Sequence, residues 1–104
     1  MRLTTDQIDA INSIARKHFG QDVQVLLFGS RVDDIKKGGD IDLFIKNKNK
    51  DLLTLETKVY FLAELKSVIG FQKIDVVFDN DLTRTKKNFY QSIIQHTVEL
   101  KSNL

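Results

Sequence analysis

Two aspartates, Asp40 and Asp42, stand one residue apart in a segment whose apolar and polar residues alternate. The alternation predicts a β-strand that carries both carboxylates on one face, with Ile41, Leu43 and Ile45 on the other. At about 3.3 Å per residue, the two carboxylates start from positions roughly 6–7 Å apart. Like charges this close repel each other unless a cation lies between them. We therefore interpret the pair as candidate ligands of a divalent metal ion.

A glycine-serine pair precedes these aspartates by ten residues. Gly29 and Ser30 follow the apolar run 23–28, which is typical of a buried strand. This pair predicts a turn from a strand into a short helix that Ser30 could cap. A third carboxylate, Asp75, lies on the less apolar face of the strand predicted over 71–78. Each feature alone is ordinary in proteins, and it is their combination that indicates a catalytic site.

The rest of the pattern predicts the elements that position these residues. A first helix is capped by Thr4 and Gln7 and ends at Gly20. Further helices are expected over 31–35, 52–69 and 86–100, and strands over 23–28, 40–46 and 71–78. This order predicts a small α/β (α+β) fold, with a mixed β-sheet in two or three layers and flanking helices on one side of the sheet.

The helix predicted over 52–69 is apolar around much of its circumference. One stripe is expected to face the core: Leu52, Leu55, Val59, Leu62 and Ile69. Other apolar residues lie beyond that stripe: Leu53, Tyr60, Phe61, Leu65 and Val68. Two interpretations stay open, since either a second protein chain covers this surface or the small domain has a wide core face.

Composition limits the class of protein. A chain of 104 residues with 41% hydrophobic and 29% charged residues predicts a single globular domain over 1–104. The absence of cysteine excludes disulfides, thiolate metal sites and cysteine nucleophiles. Without a signal peptide or a membrane-length apolar run, we expect a cytoplasmic protein that makes no membrane contact. The net charge of +2 is lower than a dedicated nucleic-acid binder would show, so nucleic acid is not expected as a direct partner. His18 and His96 have no second metal ligand nearby in the sequence, which favours structural or surface roles.

The motif as a whole resembles the nucleotidyltransferase superfamily of the DNA polymerase β type, specifically its minimal nucleotidyltransferase (MNT) branch. The residues that carry the resemblance are Gly29–Arg31, Gly39–Leu43 and Asp75 within Lys73–Val77. The resemblance covers essentially the whole chain and implies the palm fold of that superfamily. It further implies transfer of a nucleotide from ATP, with Asp40, Asp42 and Asp75 as catalytic residues and ligands of two Mg²⁺ ions. The implied nucleotide-binding residues are Gly29, Ser30 and Arg31.

Within the MNT branch, the resemblance implies a protein acceptor. This acceptor is a HEPN-domain RNase toxin, neutralised by transfer of AMP to its tyrosine, and the chain would then be an antitoxin that forms a hetero-oligomer with it. Relatives with other substrates carry extra domains that hold the acceptor, so here the acceptor is expected from outside. Three alternatives remain open: neutralisation of the partner by binding alone, transfer to RNA or a small molecule, and self-modification at Tyr60 or Tyr90. The roles of Lys36 and Lys37, as phosphate contacts or a solvated loop, also remain open.

Overall fold

The computed structural model describes residues 3–28, 41–70 and 73–101. Its helices are α1 (Thr5–Phe19), α2 (Leu55–Ile69), α3 (Asp81–Thr85) and α4 (Lys87–Gln95), with one 3₁₀ turn at Lys50–Leu52. Its strands are β1 (Gln24–Phe28), β2 (Ile41–Lys46), β3 (Ile74–Phe78) and β4 (Val98–Glu99). The helix predicted over 31–35 lies outside the described residues.

The four strands form one mixed sheet in the order β3-β2-β1-β4. Strand β1 pairs antiparallel with both β2 and β4, whereas β2 and β3 run parallel. A parallel pair needs a crossover connection, and α2 supplies it between β2 and β3. The predicted mixed sheet with flanking helices is confirmed.

Helix α1 begins and ends where its capping residues stand. The Thr4 hydroxyl accepts a hydrogen bond from the Gln7 backbone N–H at 3.1 Å, and the Gln7 side chain accepts one from the Thr4 N–H at 2.9 Å. This reciprocal pair is the predicted capping box. At the other end, Gly20 has φ +98°, and a Cβ there would lie 2.7 Å from Leu52 Cδ1. The backbone conformation therefore favours glycine, and a larger residue would also force the Leu52 side chain to move.

The main hydrophobic core lies between one face of the sheet and helices α1 and α2. Alternate residues of β1, β2 and β3 point into it, as a period of two requires. Three aromatic rings join its elements: Phe19 of α1 lies 4.9 Å from Phe61 of α2 and 5.5 Å from Phe78 of β3, between ring centroids. The two helices are also joined at the surface by Glu64, which contacts His18 Nε2 at 2.9 Å and Lys17 Nζ at 3.0 Å. The bonds from His18 and Lys17 hold the pKa of Glu64 below its usual value.

Helix α4 covers the middle of the opposite face of the sheet. Phe44 is almost fully buried there, and its ring centroid lies 6.3 Å from that of Tyr90. Ile93 of the same helix is 1% exposed. The fold therefore has three layers with helices on both sides of the sheet, and the prediction of helices on one side was wrong, because Phe44 gives the sheet a second apolar face that α4 covers. Among the helices of the described residues, none is long and apolar enough to cross a membrane.

The prediction of which α2 residues face the core was wrong at two positions. Leu55 and Val59 are 75% and 54% exposed, whereas Phe61 and Leu65 are fully buried. Because α2 carries apolar residues around much of its circumference, periodicity alone could not identify its buried side. The helix also begins at Leu55 rather than Leu52, since Thr54 caps it by accepting a hydrogen bond from the Thr57 N–H.

The helix predicted over 86–100 was wrong at its C-terminal end. Helix α4 ends at Gln95, and Val98–Glu99 forms β4 against β1. The backbone N–H of Leu100 donates to the Val25 carbonyl at 2.9 Å, and the Leu100 side chain is 4% exposed. The free edge of β1 thus gains hydrogen bonds and a buried leucine, which a longer exposed helix would not provide.

Candidate active site

Asp42 and Asp75 lie directly opposite each other on adjacent parallel strands. Asp42 of β2 is the register partner of Asp75 of β3. Register partners of a parallel pair project from the same face, and neighbouring strands are about 4.8 Å apart. Asp75 is exposed and Asp42 is partly exposed. The structure therefore brings together two of the three carboxylates that the sequence singled out.

Both carboxylates line one cavity of about 410 Å³ at the end of the sheet where β2 and β3 begin. Phe28, the last residue of β1, is the register partner of Asp42 and lines the same cavity. Gly29 and Ser30, the predicted phosphate-binding residues, follow Phe28 directly in the sequence. Lys58 of α2 and Phe89 of α4 complete the wall from the two sides of the sheet.

The other predicted site residues lie outside the described residues: Gly29, Ser30, Arg31 and Asp40. Lys36 and Lys37 lie outside them as well. Within 3–28, 41–70 and 73–101, no group of three or more histidine, cysteine or acidic residues could hold a metal ion. Asp42 and Asp75 still provide carboxylate oxygens on one face of the sheet, the donor type that Mg²⁺ prefers. The roles of all these residues in metal and nucleotide binding remain predictions.

Lys58 is a candidate that the sequence did not reveal. It lies on α2, and its Nζ is 5.5 Å from the centroid of the Phe78 ring. In the sequence it is one of two lysines on this helix, and no motif distinguishes it. The structure places it in the wall of the cavity that holds Asp42 and Asp75, on the side of the sheet that α2 covers.

A second cavity lies at the opposite end of the strands and surrounds a buried carboxylate. Asp79, which follows β3, is 1% exposed. Arg84 of α3 donates to it from Nε at 2.8 Å and from Nη2 at 3.0 Å. Lys50 Nζ donates to the Asp79 backbone carbonyl at 2.6 Å. The Arg84 bonds hold the pKa of the Asp79 carboxyl below its usual value, although burial of the carboxyl opposes this effect.

This ion pair predicts a pH-dependent contribution to stability. Because folding lowers the pKa of Asp79, the contribution is present above the ordinary value of 3.8 and is lost as pH falls through the lower folded-state pKa. We expect Asp79→Asn to cost about 1–2 kcal/mol at neutral pH, since Arg84 is half exposed and solvent weakens the pair. Urea denaturation measures the free energy of unfolding of both proteins, and the difference between Asp79→Asn and wild type should become smaller at acidic pH. Asp51→Asn, which changes an exposed carboxylate, is the control. A loss of unfolding free energy in Asp79→Asn that did not change with pH would contradict this account.

Comparison with known proteins agrees with the geometry at the first cavity. The model of the family described as "Polymerase beta, Nucleotidyltransferase" matches residues 9–103. That match covers all four strands and most of α1. A search of curated proteins finds no significant match. The match extends over most of the chain. The sheet within the matched residues brings Asp42 and Asp75 together at one end. The chain therefore belongs to the polymerase beta nucleotidyltransferase family.

Proposed function

We propose that this nucleotidyltransferase moves AMP from ATP, with Mg²⁺, to the hydroxyl of a tyrosine in a HEPN-type RNase toxin, and so acts as the antitoxin. The observation that carries the catalytic part is the pairing of Asp42 with Asp75 in one cavity. Family membership supports nucleotidyl transfer in general. The choice of ATP and of a toxin as acceptor comes from the resemblance to the MNT branch.

The proposed reaction is a displacement at the α-phosphorus of ATP. The acceptor oxygen forms a bond to this phosphorus, and the bond from the phosphorus to the bridging oxygen breaks, so pyrophosphate leaves. Asp75, which is exposed in the cavity, would accept the proton of the acceptor hydroxyl. Mg²⁺, when bound by Asp42, Asp75 and Asp40, would supply positive charge opposite the phosphate oxygens. Gly29, Ser30 and Arg31 would bind the triphosphate, and Lys58 would add a cation from α2.

A second candidate function is neutralisation of the partner by binding alone. It is supported by apolar side chains on the exposed side of α2. Leu55 is 75% exposed, Val59 54% and Tyr60 58%. Surfaces of this kind commonly contact another protein. Such a surface serves both candidates, because an enzyme acting on a protein must also hold its acceptor.

The test uses ATP labelled either at the α- or at the γ-phosphate, with Mg²⁺ and the protein encoded by the neighbouring reading frame as acceptor. Transfer of AMP predicts label on the acceptor from α-labelled ATP and none from γ-labelled ATP. Replacing the acceptor tyrosine with phenylalanine should abolish labelling. Intact mass of the chain incubated with ATP and Mg²⁺ but no acceptor, in wild type, Tyr60→Phe and Tyr90→Phe, tests self-modification.

The outcomes separate the candidate functions. Partner neutralisation without any label would exclude the transferase proposal and support binding alone. Label that thin-layer chromatography finds on RNA or a small molecule, rather than on protein, would keep nucleotidyl transfer and overturn the choice of acceptor.

A further inference from the structure

The cavity around Asp79 is lined by more positive than negative charge. We call it the basic groove and define it by four cations, Lys46, Lys48, Lys50 and Arg84, and two carboxylates, Asp22 and Asp79. Its volume is about 580 Å³. The net charge of these six residues is therefore +2.

Two of the cations are held in place by Asp79. Both oxygens of its carboxylate accept bonds from Arg84, at 2.8 and 3.0 Å, and its backbone carbonyl accepts one from Lys50 at 2.6 Å. Arg84 is also held from another direction, since its Cζ lies 5.4 Å from the centroid of the Tyr90 ring. Groups ordered before a ligand arrives lose less entropy when they bind it. The buried Asp79 therefore preorganises the cationic lining.

Arg84 keeps donors for a ligand. A guanidinium has five N–H donors, and Asp79 accepts bonds from two of them. The Arg84 side chain is 53% exposed. Asp81 adds negative charge near Arg84 but does not line the groove. Lys46 and Lys48 line it without the bonds to Asp79 that hold Lys50 and Arg84, so their ammonium groups are available to a ligand.

The basic groove is separate from the candidate active site. Lys46 lies four residues after Asp42 on β2, a separation of about 13 Å at about 3.3 Å per residue. Both residues project from the same face of the sheet, and Phe44 between them is covered by Tyr90 of α4. Helix α4 therefore separates a ligand in the basic groove from the Asp42–Asp75 pair.

We propose that the basic groove is a second anion site that binds a phosphate-bearing ligand. Several converging cations on a concave surface suit the oxygens of a phosphate, and arginine and lysine are its common partners. Such a phosphate has two sources, a small soluble polyphosphate or the backbone of a single-stranded RNA. This site is independent of the proposed transferase activity, because its residues do not include the candidate catalytic carboxylates.

The experiment is a titration of the ¹⁵N-labelled full chain, followed by NMR, with EDTA present so that metal-dependent nucleotide binding does not contribute. One arm uses inorganic pyrophosphate and the other a short single-stranded RNA. Binding should shift the backbone amides of 46–50 and the Nε–H signal of Arg84, and leave the amides near Asp75 unchanged. A double substitution, Lys46→Gln with Lys48→Gln, should weaken binding about tenfold or more, because two charge-assisted hydrogen bonds are lost.

A matched double variant, Lys66→Gln with Lys101→Gln, removes the same charge outside the groove and should bind like wild type. If RNA is the ligand, the slope of log affinity against log salt concentration should also be smaller in magnitude by about 1.4 in the Lys46→Gln, Lys48→Gln variant. This value corresponds to two lost phosphate contacts at about 0.7 each. Tighter binding of pyrophosphate than of RNA would identify a small polyphosphate as the ligand. Equal weakening in both double variants, shifts confined to other residues, or no shifts with either probe would overturn the proposal.

Discussion

Asp42→Asn should lower the transfer of AMP from α-labelled ATP by about a hundredfold to a thousandfold, the range for loss of one preorganised electrostatic group. Asparagine keeps the size of the side chain but removes the negative charge that would hold a cation. Because Asp75 is the register partner of Asp42 in the same cavity, Asp75→Asn should cause a loss of similar size. Single-turnover labelling with excess acceptor measures both variants.

The control is Asp51→Asn, which removes a carboxylate from the exposed 3₁₀ turn and lines neither cavity. It should leave the labelling rate unchanged. Circular dichroism melts would establish that Asp42→Asn and Asp75→Asn remain folded. Full activity in Asp42→Asn would exclude this site as the catalytic centre. Full activity in Asp75→Asn alone would exclude Asp75 as the proton acceptor. Asp42 would then act with a residue other than Asp75.

Phe61→Ala should be among the most destabilising single substitutions in the core, at about 3–5 kcal/mol. The Phe61 ring is fully buried and lies 4.9 Å from that of Phe19. Phe19 also contacts Phe78, so removing Phe61 leaves a cavity where α1, α2 and β3 meet. Domains of this size are stable by about 5–15 kcal/mol, so the loss would be a large part of the total. Urea denaturation followed by circular dichroism measures it.

The neighbouring residue on α2 provides a matched control. Tyr60 is 58% exposed, and Tyr60→Ala should change the free energy of unfolding by less than about 1 kcal/mol. Phe61→Leu retains most of the buried volume and should cost clearly less than Phe61→Ala, which keeps the comparison measurable if the alanine variant does not fold. Equal losses for Tyr60→Ala and Phe61→Ala would contradict the burial pattern of α2.

The local features of the chain were predictable where a single residue type has a specific local function. Thr4 and Gln7 marked the start of α1, and Gly20 marked its end, because capping depends on a few adjacent groups. The alternation in 40–46 placed Asp42 on the face opposite Ile41 and Leu43, and β2 confirms that alternation. These predictions depend on backbone geometry within a few residues.

Features that depend on competition between distant groups were not predictable. The buried side of α2 follows from where Phe19 and Phe78 meet Phe61, and these residues are far apart in the sequence. Strand β4 forms because β1 offers an edge to pair with, which helical periodicity in 86–100 does not reveal. Lys58 likewise became a candidate only through its position beside the cavity.

The sequence by itself determined the residue types available for chemistry, the face of β2 that carries Asp42, and the order of the main strands and helices. The tertiary structure alone decided that Asp42 stands opposite Asp75, and that Arg84 and Lys50 meet at Asp79. The physical reason is that strand register, and contacts between residues far apart in the chain such as Lys50 with the Asp79 carbonyl, follow from packing of the whole core, which no short segment of the chain encodes.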